Sequence, residues 1–188
     1  MTFSGQRILP AVRKAKDLEK LLPMAYEYAV LLDSHIGTVK ALVDMAARSG
    51  KKLLLHADLI DGLKSDEYGA EFLCRIVRPA GLISTKSSVI AKAKQNKLLA
   101  IQRLFMLDTH ALEKSYLLLE RTQPDYIEVL PGVIPFMIEE VLERTRTPVF
   151  AGGLIRTVRD VELALAAGAT AVTTSDRELW KHFEGQSV

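Results

Sequence analysis

Short apolar runs alternate with longer amphipathic segments along the chain, and eight such pairs follow one another. The short runs are nearly continuous in Val, Ile and Leu, which is typical of strands buried on both faces of a parallel sheet. They lie at residues 8–12, 28–32, 52–58, 81–85, 98–103, 126–130, 148–153 and 171–174. The pattern therefore predicts eight βα units.

The amphipathic segments carry signals for the ends of helices. Apolar residues recur at helical spacing from Val39 to Arg48, and Gly50 follows as a candidate C-cap. Polar residues in front of three later segments are candidate N-caps. They are Asp108, Thr157 with Asp160, and Ser175 with Glu178.

Repeated βα units imply parallel strands joined by right-handed crossovers. We expect residues 1–188 to form one domain, a single compact (β/α)8 barrel of the TIM type. The alternative is an open doubly wound sheet, but none of the runs resembles the edge strand that such a sheet would need. Because even small barrels have about 200 residues, most loops must be short. Residues 59–66 are the exception and predict a sizeable loop.

Composition narrows the class of protein. The formal net charge is only +2, which does not favour a strongly basic nucleic-acid-binding domain and leaves a local basic patch open. The single cysteine, Cys74, lies in an apolar helical pattern and predicts a buried hydrophobe rather than a nucleophile. No secretory signal and no apolar run near the ~18 residues of a membrane span are present. We therefore expect a cytoplasmic protein.

Candidate ligand groups follow from the barrel, because functional residues of such folds lie at the carboxyl ends of the strands and in the loops that follow. Glu128 is the most informative of them, since a carboxylate within a buried strand costs a few kcal/mol unless it is paired. The candidates are Asp33, His56, Asp58, Lys86, Arg103, Glu128, Gly132, Gly152, Gly153, Thr174 and Ser175.

The last two strand ends predict a phosphate site. Gly152 and Gly153 would let backbone N–H groups approach phosphate oxygens, and Thr174 and Ser175 would add hydroxyl donors. A helix N-terminus behind Ser175 would favour the negative charge. The alternative is two tight turns with an ordinary N-cap at Ser175.

Other candidates keep two interpretations. Lys86 fits anion pairing better than Schiff-base chemistry, which needs a lowered pKa. His56 and Asp58 share one face of a strand and fit either ligand contact or structural hydrogen bonding. Asp33 lies in an apparent rim loop. Carboxylates and histidine could ligate a hard cation, but no motif of zinc or nucleotide-binding type occurs, so we expect no metal.

The whole chain resembles the glycerol-3-phosphate-responsive antiterminators, regulators of bacterial glycerol-utilisation operons. The resemblance covers residues 5–183, and its most distinctive part is the run His-Ala-Asp-Leu-Ile-Asp-Gly-Leu at residues 56–63. The other matching stretches are residues 8–13, 31–37, 81–86, 102–105, 128–132, 151–155 and 171–175.

The resemblance implies a regulator rather than an enzyme, with no catalytic residue and no cofactor. It implies a protein that senses glycerol 3-phosphate and binds the leader of a nascent mRNA. Transcription then passes a terminator hairpin, and the transcript is stabilised. Lys86 and Arg103 would neutralise the phosphate or approach RNA, and Asp33, Asp58 or Glu128 would accept hydrogen bonds from glycerol hydroxyls. The loop at residues 59–66 is the candidate for movement.

Two basic clusters are candidates for the RNA surface, although each also fits a solvated helix face. One cluster is the run Arg13, Lys14 and Lys16, and the other consists of Arg75, Arg78, Lys92, Lys94 and Lys97. A homodimer is compatible with binding to a folded RNA.

Two other functions remain open at this point. One is an enzyme that acts on a small phosphorylated substrate, since the rim residues could support acid–base or metal-assisted chemistry. The other is a ligand-binding barrel that acts through a protein partner.

Overall fold

Eight parallel strands close into a barrel in the computed structural model, which describes residue 3, residues 5–106 and residues 108–186. The strands are β1 (Ile8–Val12), β2 (Tyr28–Leu31), β4 (Lys52–His56), β6 (Gly81–Ser84), β7 (Leu99–Phe105), β8 (Tyr126–Leu130), β9 (Val149–Gly152) and β10 (Ala171–Thr174). Around the barrel they follow the order β1-β10-β9-β8-β7-β6-β4-β2. The (β/α)8 fold and all eight apolar runs are thereby confirmed.

Helices follow the strands and cover the outside of the barrel. They are α1 (Ala15–Leu21), α2 (Val39–Arg48), α3 (Glu67–Phe72), α4 (Ser87–Gln95), α5 (Thr109–Thr122), α6 (Pro135–Thr145), α7 (Val158–Ala166) and α8 (Arg177–Phe183). A π-helical turn, Leu73–Val77, continues α3. None of the helices in the described part of the chain is long and apolar enough to cross a membrane.

Alternating residues of each strand divide the core into two layers, because successive side chains point to opposite faces. One set, which includes Leu54, Ile101 and Phe150, fills the barrel interior. The other set, which includes Leu55, Ile127 and Val172, packs against the helices. Within the interior set Phe3 makes edge contacts with Tyr28, Tyr126 and Phe150, all placed at the amino ends of their strands.

Two features of the rim differ from the sequence prediction. The stretch at residues 59–66 is not a simple loop, because β5 (Ile60–Asp61) pairs with β3 (Ser34–His35) in a second, two-stranded sheet. The third apolar run, at residues 52–58, forms a strand only as far as His56, and a 3-10 turn, Ala57–Leu59, follows. Two-residue strands lack a hydrophobic period long enough to be recognised in a sequence.

The predicted caps have mixed outcomes. Asp108 and the Thr157–Asp160 capping box are confirmed by their hydrogen bonds to the first turns of α5 and α7. Ser175 as the cap of α8 is wrong. Asp176 is the N-cap, and its carboxylate accepts from the amides of Glu178 and Leu179.

Candidate functional site

A cavity of about 280 Å³ opens at the carboxyl ends of the strands, and we name it the barrel-mouth pocket. Strand ends from both halves of the barrel contribute to its wall, so it lies across the barrel axis. Its lining residues are Ala11, Arg13, Leu32, Asp33, Leu59, Arg103, Glu128, Leu130, Gly153, Leu154, Ile155, Thr173, Thr174 and Ser175. The wall therefore combines two guanidinium groups, two carboxylates and several hydroxyls around a volume suited to a small molecule.

The structure brings six of the eleven predicted ligand residues to this pocket: Asp33, Arg103, Glu128, Gly153, Thr174 and Ser175. The remaining five lie outside its lining: His56, Asp58, Lys86, Gly132 and Gly152. Arg13 and Thr173 line the pocket but were absent from the ligand prediction. Arg13 was assigned to a basic cluster, although its position directly after β1 was the signal that could have placed it at the rim.

Glu128 on β8 is held by one partner from the adjacent strand β7 and one from β10, which lies beyond β9. The Arg103 Nε donates to Glu128 Oε2 at 2.7 Å, and the Thr173 hydroxyl donates to Oε1 at 2.8 Å. The side chains of Arg103 and Glu128 are only 10% and 2% exposed. The strand register explains the pair, since Arg103 on β7 lies directly beside Glu128 on β8. A charged pair so deeply buried needs such hydrogen bonds, and here they engage both oxygens of Glu128.

Asp58 holds loops together rather than lining the pocket. One carboxylate oxygen accepts from the Ser65 and Ser84 hydroxyls at 2.5 Å each, and the other accepts from the amide and hydroxyl of Thr85. Burial raises the pKa of Asp58, but these hydrogen bonds outweigh it and lower the pKa below its ordinary value. Protein donors thus engage both oxygens of Asp58, which gives it a structural role, and its contact with glycerol hydroxyls stays a prediction.

His56 is 3% exposed and lies in the barrel wall at the end of β4. Neither ring nitrogen forms a hydrogen bond to another residue in the described part of the chain. Burial, together with the positive charge of Arg103, lowers the pKa of His56 to about 4. The imidazole is therefore neutral at pH 7 and adds no cation to the site.

We expect the protein to lose about 2 kcal/mol of stability between pH 7 and pH 5 because of His56. The unfolded chain takes up the proton near pH 6.5 and the folded chain near pH 4, so the unfolded state binds more protons in this window. Urea unfolding at both pH values measures the loss. It should shrink in His56→Leu and persist in the exposed control His110→Gln. Equal pH dependence in all three proteins would contradict the assignment.

Two glycines outside the pocket lining are needed for close packing beneath it. A Cβ on Gly152 would lie 2.4 Å from the Thr173 hydroxyl and 3.0 Å from Glu128 Oε1. A Cβ on Gly132 would lie 2.6 Å from the amide nitrogen of Gly152. Both positions therefore support the geometry of the pocket through packing.

Gly153 is the glycine that reaches the pocket wall. Its φ is +76° and that of the next residue, Leu154, is +62°, so the chain turns through two successive left-handed residues. Leu154 is 59% exposed and lines the pocket beside Gly153. A non-glycine residue in this region is strained, and such strain is concentrated at functional sites.

Protein groups already cap the helix N-termini behind the predicted phosphate site. Asp160 and Thr157 cap α7, and Asp176 caps α8 with a negative charge of its own. The Thr174 hydroxyl donates to the Ile155 carbonyl and accepts from the Asp176 amide. The dipole of α8 is thus partly compensated, which weakens the prediction that it attracts phosphate.

Lys86 is exposed at the start of α4 and does not line the pocket. Among the described residues, no lysine contributes to the pocket wall, so a Schiff-base nucleophile is not placed there. The described residues also contain no group of three histidine, cysteine or acidic side chains that could hold a metal ion.

The basic cluster of α3 and α4 forms a mostly exposed surface with some ion pairs. Glu71 lies 3.0 Å from Arg75 and 3.8 Å from Lys92, and Lys94 lies 3.5 Å from Asp125. Arg78 and Lys97 are exposed and lie where chain segments enter the next strands. These two residues therefore lie at the amino ends of the strands, which is the end of the barrel opposite the pocket. The surface therefore keeps an excess of positive charge along the flank of the barrel.

The geometry can be compared with known proteins. The family described as glycerol-3-phosphate responsive antiterminator matches residues 8–180. The uncharacterized protein YgcP of Escherichia coli (strain K12) is 30% identical over 176 residues, which are 92% of this chain and 91% of YgcP.

Solved structures agree over nearly the full chain. The glycerol uptake operon antiterminator regulatory protein of Listeria monocytogenes is 49% identical with a TM-score of 0.94, and the match covers 96% of this chain and 98% of that one. A glycerol uptake operon antiterminator-related protein of Thermotoga maritima is 27% identical with a TM-score of 0.83, covering 96% and 99%. Aldolases that are at most 18% identical share the fold alone.

Proposed function

Because the chain belongs to the family of glycerol-3-phosphate responsive antiterminators, we propose that it binds glycerol 3-phosphate in the barrel-mouth pocket. In that state it binds the leader of a glycerol-operon mRNA and lets transcription pass a terminator. The observation that carries the proposal is the meeting of two arginines and two carboxylates in one small cavity. A phosphorylated polyol needs cationic donors at one end and hydrogen-bond acceptors at the other.

The pocket supports binding better than catalysis. Its most buried carboxylate, Glu128, is committed to Arg103 and Thr173, so it is not a free base. The neighbouring histidine, His56, lies outside the lining, and its pKa of about 4 makes it a weak base. Within the described residues, the pocket thus lacks an evident nucleophile–base pair. These features favour a regulator over an enzyme.

A contiguous set of contacts links the pocket to the basic flank. Leu59 lines the pocket, and its neighbour Asp58 binds Ser84 and Thr85, which are joined to α4 through its N-cap residue Lys86. A ligand that moves Leu59 would therefore act on the segment that positions α4. We propose that the RNA surface is the basic face of α3 and α4. Ligand and RNA would then be coupled through Asp58.

Binding of a labelled leader RNA, measured by fluorescence anisotropy with and without glycerol 3-phosphate, tests this function. We expect the ligand to tighten RNA binding about tenfold, which corresponds to a coupling of about 1.4 kcal/mol. Affinity should fall steeply as salt increases, since phosphate contacts release counterions. The double variant Arg78→Ser with Lys97→Ser should weaken binding and reduce the salt dependence.

The matched control for that variant is Lys14→Ser with Lys16→Ser, which removes the same charge from the other basic cluster. RNA binding that is indifferent to the ligand would contradict the proposed coupling. Absence of RNA binding, together with turnover of a phosphorylated substrate, would favour an enzyme instead.

A further inference from the structure

The barrel-mouth pocket contains a buried cation with unused donors. Arg103 is held to Glu128 through Nε alone, and its two terminal nitrogens have no acceptor among the described residues. Its side chain is only 10% exposed, and it lines the pocket. A buried guanidinium with free N–H groups is a ready site for an oxyanion, because the planar fork matches phosphate oxygens.

A second cation faces Arg103 across the barrel. Arg13 directly follows β1, and β1 and β7 are separated by three strands on either side of the closed barrel, so they are diametrically opposite. Arg13 is exposed, lines the same pocket, and forms no ion pair with any described residue. Two long cationic side chains therefore bound one small cavity from opposite walls.

Protein groups already engage part of the helix N-termini at this rim. The Glu178 and Leu179 amides of α8 donate to the Asp176 carboxylate, and the Asp160 amide of α7 donates to the Thr157 hydroxyl of the capping box. The arginine side chains add charge-assisted donors for an anion at this rim, where phosphate sites of this fold commonly use a helix N-terminus.

We propose that Arg13 and Arg103 hold the phosphate of the ligand between them, and that Arg13 selects phosphorylated over unphosphorylated polyols. Asp33, which follows the strand beside β1, is placed to accept hydrogen bonds from the polyol hydroxyls. Glu128 keeps the Arg103 fork oriented rather than contacting the phosphate. This assignment deepens the proposed function and rests on it.

Isothermal titration with glycerol 3-phosphate, glycerol and inorganic phosphate tests the assignment. We expect Arg13→Met to weaken glycerol 3-phosphate binding about tenfold, the usual size of one charge-assisted contact. Binding of glycerol should change little. Arg13→Lys should fall between, since it keeps the charge and loses the planar fork. Arg156→Met is the matched control, because Arg156 is also an exposed rim arginine but lies outside this pocket.

The outcomes of these titrations distinguish a failure of this inference from a failure of the proposed function. If wild-type protein binds glycerol 3-phosphate and Arg13→Met binds it equally well, this inference is overturned while the proposed function stands. If the wild type binds neither glycerol 3-phosphate nor phosphate, both are overturned. A loss confined to Arg13→Met, with Arg156→Met unchanged and thermal unfolding of both variants like that of the wild type, supports the assignment.

Discussion

Replacing Glu128 by alanine is expected to destabilise the protein by about 3–5 kcal/mol. The substitution leaves the Arg103 guanidinium buried in the barrel without its counter-charge, and it removes the nearer of the two acceptors of the Thr173 hydroxyl. The free energy of unfolding in urea measures the effect. Glu128→Gln should be less damaging, because its amide oxygen still accepts a hydrogen bond from Arg103.

Glu113 offers a matched control for this prediction. It forms an ion pair with Arg144 through two hydrogen bonds, but both side chains are about half exposed. Exposed pairs contribute about 0–1 kcal/mol, so Glu113→Ala should have a small effect. If Glu128→Ala costs no more than Glu113→Ala, the buried pair does not organise the pocket.

Replacing Gly153 by valine should weaken glycerol 3-phosphate binding about 100-fold, or about 2.7 kcal/mol. The new side chain would stand at the pocket wall, with its Cβ 3.3 Å from the Leu130 side chain, on backbone at a φ of +76°. A β-branched residue at positive φ is strained, so the turn would move as well. Titration calorimetry measures the affinity.

The variant Gly50→Val is a control that distinguishes damage to the ligand site from general backbone strain. Its φ is +72°, and a Cβ there would meet no atom within 4 Å. Gly50→Val therefore carries the same backbone strain at the opposite end of the barrel, after α2. It should lower stability by a similar amount and leave ligand affinity unchanged. An unaltered affinity in Gly153→Val would mean that the ligand binds elsewhere.

The two arginines differ in how well the sequence alone predicts that they lie at this site. The alternation of β7 and β8 places Arg103 and Glu128 on the inner face, and a carboxylate within an apolar run signals a buried partner. That partner is 25 residues away in sequence, and the register of two strands selects it. Arg13 carries only the weaker signal of its position directly after β1, because a basic residue among other basic residues resembles an ordinary solvated surface.

The N-cap of α8 shows a similar limit to what the sequence alone can predict. Ser175 and Asp176 are adjacent, and either could precede a helix by composition alone. The backbone decides between them, because Asp176 is the residue whose side chain reaches the first-turn amides. This choice places a negative charge at a helix N-terminus that would otherwise attract an anion.

The amino-acid sequence by itself determined the eight βα units, the closed parallel barrel and the rim as the place of the candidate ligand groups. These follow from local periodicity and from the rule that carboxyl ends of parallel strands meet at one face. Only the tertiary structure decided which rim residues share a cavity. Asp58 forms hydrogen bonds that connect loops, His56 is buried and neutral, and Arg13 lies opposite Arg103 in the pocket. The physical reason is that barrel closure and strand register bring together residues far apart in the chain, and the hydrogen bonds that each side chain then finds decide whether it remains free for a ligand.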